Sequence, residues 1–65
     1  MRIVTEFHGG SPVAVLVELA TVQTPALRAD IEAKGKARRG RCRLGWATYK
    51  RLLRKHATDT GERGK

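Results

Sequence analysis

Arg38, Arg39, Arg41 and Arg43 fall within six residues of the chain, and Lys50, Arg51, Arg54 and Lys55 within another six. An arginine offers a planar fork of N–H donors that matches a phosphate, and a lysine offers a compact point charge. Side chains of this kind hold a nucleic-acid backbone in position without reading its sequence. These eight residues are the candidate contacts to DNA or RNA. Between Ala33 and Thr58 there are ten bases and no acid. Residues 1–33 carry two bases against four acids, whereas residues 34–65 carry twelve bases against two acids. Separation of sign on this scale makes a field, not a mixed solvated surface. It exceeds what solubility requires, and a polyanion would relieve the self-repulsion.

Other chemistry is thinly represented. Glu6 and His8 share a strand face by alternation, and such a pair could serve as acid and base beside a basic surface. Exposed polar residues on any alternating strand give the same pattern. Cys42, His8 and His56 show no metal-ligand spacing, so no metal is expected. The lone Cys42 closes no internal disulfide. Gly35-Lys36 is followed by Ala37, with no glycine six residues earlier, so there is no phosphate-binding P-loop. The expectation is a protein that is not an enzyme and uses no cofactor.

The whole chain is 65 residues with a net charge of +8, a pI near 10.9 and a mean hydropathy of −0.46. That is enough for one small domain, which buries only about 60% of its unfolded surface. A partner or a second copy would help to complete it. The longest apolar run, Val13 to Val22, contains Glu18 and is half the ~20 residues of a membrane span. It has no signal-peptide pattern either. A cytoplasmic protein with no membrane span is expected.

The elements that must position the cations can be read along the chain. Residues 2–20 read as a β-hairpin: Ile3, Thr5 and Phe7 alternate with Val4, Glu6 and His8, and Gly9 to Pro12 supply a turn. Val13, Val15, Val17 and Leu19 then share one face. A helix from Pro12 with Ser11 as its cap competes, but the β-branched valines favour a strand. That second strand is apolar on both faces, so it needs cover on both sides. Thr24-Pro25 starts a helix over 25–34, with Gly35 as its stop. Residues 35–45 read as a basic loop, because Gly35, Gly40 and Gly45 oppose a continuous helix.

Residues 46–56 form an amphipathic helix at about 100° per residue. Tyr49, Leu52, Leu53 and His56 lie on one arc with Trp46, and Lys50, Arg51, Arg54 and Lys55 on another. Trp46 and Tyr49 are expected in the core, and His56 near the helix end. Residues 57–65 read as a flexible tail. Leu44-Gly-Trp-Ala-Thr-Tyr-Lys-Arg-Leu-Leu53 resembles the turn and recognition helix of helix-turn-helix DNA-binding domains. That resemblance implies that Ala47, Thr48, Lys50 and Arg51 face the major groove. It covers ten of the 65 residues, and the preceding basic segment departs from the pattern.

The expected fold is α+β, a single domain over 1–56 with an N-terminal hairpin and two helices joined by a basic loop. A small all-α helix-turn-helix-like domain is the alternative. The expected function is non-catalytic nucleic-acid binding, regulatory in character, with loop and helix laid along one phosphate backbone. Docking on an acidic protein surface is the rival, and adhesion of helix 46–56 to anionic membrane a weaker one. A homodimer through the hairpin would cover the exposed strand face.

Overall fold

The computed structural model describes residues 1–61, with side chains to residue 56. The order is β1 (Ile3–His8), β2 (Ser11–Glu18), a 3-10 turn (Leu19–Thr21), α1 (Pro25–Lys34), β3 (Lys36–Arg38), β4 (Arg41–Gly45) and α2 (Trp46–Gly61). The strands make one antiparallel sheet in the order β1-β2-β4-β3. Both helices pack on one face of it, and the other face is open. The fold is α+β, with the hairpin preceding the helices, and the all-α alternative is set aside. No helix among the described residues is long and apolar enough to cross a membrane.

The first hairpin forms within residues 2–20 as the alternation requires, but β2 ends at Glu18 and Leu19 enters the 3-10 turn. Gly9 (φ 60°) and Gly10 (φ 85°) supply the two left-handed positions of a tight turn, while Ser11 and Pro12 already belong to β2. Strands joined by so short a loop need a turn of this hand to match their own twist. A bulge lies between the Glu6↔Ala14 and Phe7↔Pro12 pairs, leaving Val13 as the extra residue and half-exposed. Helix α1 starts at Pro25, with Thr24 in extended conformation at the cap, although its side chain makes no capping hydrogen bond.

Residues 35–45 are not a loop. Lys36–Arg38 and Arg41–Gly45 form a second hairpin, and β4 pairs along β2 from Ala14↔Gly45 to Glu18↔Arg41. The glycines that oppose a helix serve a strand pair instead. Gly40 takes φ 78° in the turn, and its carbonyl accepts the Leu19 N–H at 2.9 Å. Gly35 ends α1 with φ −113°, so no left-handed cap is involved. Glycine is required there by close approach: a Cβ would lie 2.5 Å from the Arg43 carbonyl oxygen and 2.7 Å from the Cys42 sulfur. A strand before α2 also removes the helix-turn-helix resemblance, since the segment that should be its first helix is β4. Helix α2 runs on to Gly61, so residues 57–61 are helix where a flexible tail is expected, and residues 62–65 lie outside the described residues.

The core lies between the sheet and the helices. Val15, Val17, Cys42 and Leu44 of the sheet meet Leu27 and Ile31 of α1 and Tyr49 and Leu52 of α2, with Ile3, Trp46 and Leu53 at its margin. Among the described residues no polar or charged residue is buried in it. The Cys42 thiol donates to the Ile31 carbonyl at 3.2 Å, and burial pushes its pKa up, which keeps it a neutral thiol. The two helices are clipped at their exposed edge, where Asp30 Oδ2 lies 2.8 Å from His56 Nε2 and 3.2 Å from Lys55 Nζ. These partners hold the Asp30 carboxyl below its ordinary 3.8.

Two outcomes follow. Gly35→Ala should destabilise the fold by about 1–3 kcal/mol, read from the urea midpoint, because the backbone of β4 must move to admit a methyl. For Asp30, a lowered folded pKa means its contribution is present above pH 3.8 and lost as pH falls below it. Asp30→Asn should therefore lower the midpoint at pH 6 and flatten the loss of stability below pH 4.

Candidate nucleic-acid interface

Period two along β4 separates core from charge. Cys42 and Leu44 point under the helices and are buried, so Arg41 and Arg43 project from the open face and are exposed. Cross-strand partners share a face, which puts Lys36 beside Arg43 and Arg38 beside Arg41. The result is two rungs of cations about 7 Å apart along the strands. Arg39 stands at the tip of the turn. An open depression of about 570 Å³ is lined by Leu16 and by Lys36, Arg38, Arg39, Arg41 and Arg43.

These cations are not equivalent. Arg43 reaches across β2 to Glu6 on β1, donating Nη2 to Oε1 at 2.7 Å and Nε to Oε2 at 3.1 Å. The register sets Glu6 opposite Ala14 and Arg43 opposite Leu16, so the guanidinium spans β2 on the diagonal. The forked bond draws the Glu6 carboxyl below its usual range and raises Arg43 above its own. A carboxylate held this way is a weak base, so Glu6 is poorly suited to act with His8 as an acid–base pair. Among the described residues no acidic side chain pairs with Lys36, Arg38, Arg39 or Arg41.

The remaining predicted contacts lie elsewhere. Lys50, Arg51, Arg54 and Lys55 are exposed on α2, the helix layer that covers the opposite face of the sheet. The arginine hairpin presents its cations on one face of the sheet and α2 packs on the other, so the two do not form one continuous surface. Lys55 reaches Asp30, and the Lys50 ammonium sits 5.7 Å over the Trp46 ring. Such a cation can stay beside an aromatic face without an anion. Lys50, Arg51 and Arg54 line a shallow cleft of about 240 Å³ with Ala47. Trp46 and Tyr49 pack against one another at 5.9 Å, Tyr49 buried and Trp46 half-buried, as their helical stripe required.

Lys36, Leu16 and the Glu6–Arg43 pair escaped the sequence reading. A signal for Lys36 was present: Lys36-Ala-Arg38 and Arg41-Cys-Arg-Leu44 alternate on either side of a two-residue Arg-Gly turn. The arginine density masked it. Compared with known families, curated proteins and solved structures, the chain matches none.

Arg39 has φ 53°, the one non-glycine residue with positive φ among the described residues. A left-handed backbone costs most side chains about 1–2 kcal/mol, whereas asparagine tolerates it. Arg39→Asn should raise the melting temperature by a few degrees, on the order of 0.5–1 kcal/mol, while weakening capture of a polyanion. Thermal unfolding and fluorescence anisotropy on the same variant measure both effects.

Proposed function

We propose that this is a non-catalytic nucleic-acid-binding protein whose contact surface is the basic half of the open sheet face. The observation that carries the reading is the cluster of Lys36, Arg38, Arg39 and Arg41 around one depression, with no acidic partner among the described residues. The strands fix the backbone positions of Lys36, Arg38 and Arg41, so the spacing of these cations is set before a ligand arrives. The open face has no Phe, Tyr or Trp: Phe7 follows the opposite alternation, and Trp46 and Tyr49 belong to α2. Platforms on which unpaired bases stack are thus missing, which favours phosphate contacts along a duplex over capture of a single strand. The affinity is sequence-independent and electrostatic.

The second reading, an acidic protein partner, draws on Val4, which is 61% exposed beside Leu16 on the same face. An apolar strip next to guanidinium groups also suits a protein surface.

The salt dependence of duplex binding tests the first reading. Four phosphate contacts give a slope of log K against log[salt] near −3.6 on duplex DNA. Arg38→Ala and Arg41→Ala should each flatten it by about 0.9, and Arg51→Ala should leave it unchanged. No binding at low salt, or a slope near zero, overturns nucleic-acid binding. An equal effect of Arg51→Ala moves the surface to α2.

A further inference from the structure

The two edges of the sheet differ in how they meet solvent. At one edge β3 has three residues, two of them cations, the short charged form that discourages pairing with another strand. At the other, β1 has six residues, no lysine and no proline, and bears Val4 at 61% and Phe7 at 64% exposure. Among the described residues no further strand pairs with it. A strand of this length and character is a ready template for another.

Its pairing capacity can be read from one hydrogen bond. Glu18 N donates to the Arg2 carbonyl at 3.0 Å, so even-numbered residues of this strand turn their main chain toward β2. Ile3, Thr5 and Phe7 then turn their N–H and C=O groups to the free edge. From this we infer that β1 is a self-association edge, whose partner is β1 of a second copy in antiparallel register about Thr5. Thr5 meets Thr5 of the other copy on the two-fold axis, and Ile3 meets Phe7 on either side. The arrangement is isologous, since each residue's partner finds the same residue in return. It satisfies the free main-chain groups of all three positions and covers Phe7 with Ile3 on the helix-bearing face.

Charge favours this edge over the other. Each chain carries +8, so association is opposed unless the positive regions stay apart. A seam at β1 joins the chains through the segment in which acids outnumber bases, and places both β3–β4 hairpins at the outer ends of an eight-stranded sheet. Across the seam Val4 faces Glu6 and Arg2 faces His8, so no two acids oppose each other. The inference stands apart from nucleic-acid binding and is tested without it.

Sedimentation equilibrium of the full chain, nuclease-treated and in high salt, should show a mass rising with concentration from 7.2 kDa toward twice that value. Amide exchange at Ile3 and Phe7 should slow over the same range. Thr5→Pro removes an N–H that β2 does not use, and should leave a folded monomer. Phe7→Lys, at an exposed side chain, should raise the dissociation constant at least about tenfold. If Thr5→Pro fails to fold, Phe7→Lys decides alone. A wild-type chain that stays monomeric throughout, or folded variants that associate as it does, would overturn the inference.

Discussion

The pairing of β2 with β4 is the join on which the molecule depends. It brings together strands separated by an entire helix and sets Val15 beside Leu44 and Val17 beside Cys42. Because side chains alternate with period two, a slip of one residue in β4 would turn Arg41 and Arg43 into the core and expose Cys42 and Leu44. No buried acid waits there to receive them. Register, core and charge display are thus one constraint. Gly35 reinforces it, since the chain leaving α1 passes so close to β4 that only a missing side chain lets the backbones approach.

A small chain must also cover a strand that is apolar on both sides. The helices cover Val15 and Val17 completely. The opposite side is handled with charge, as Arg43 and Glu6 clasp across the strand that carries Ala14 and Leu16. The aliphatic stem of an arginine can lie along apolar surface while its head keeps an ionic partner. Ala14 is only 4% exposed on a face with no helix over it. An exposed pair of this sort adds little to stability by Coulomb attraction alone. Its contribution here is to cover and to orient.

The distribution of partners divides the cations by role. Arg2 meets a carboxylate on the adjacent strand, Arg28 one in the next turn of α1, Arg43 one two strands away, and Lys55 one on the facing helix. All four acids of the first half are consumed this way, so the neutralised region surrounds β1 and α1. In the second hairpin Arg43 is paired, whereas Lys36, Arg38, Arg39 and Arg41 meet no carboxylate among the described residues. Arg39, at the tip of that hairpin, holds a backbone conformation that arginine adopts at a cost.

Much of this was legible in the residues themselves. Alternation and Gly9-Gly10 defined the first hairpin, Thr24-Pro25 located the start of α1, and the helical stripe of Trp46, Tyr49, Leu52 and Leu53 identified the inward side of α2. These are local signals, each carried by neighbours in the chain. The segment 35–45 was misread because its glycines and arginines also suit a loop, and β3 and β4 become strands by pairing with each other and with a distant β2. The same long-range pairing decided which way each cation faces. Composition and spacing determined that the second half is a concentrated positive charge with an amphipathic helix. Only the sheet, by imposing period two and standing between hairpin and helix, decided that this charge is displayed on two opposite sides.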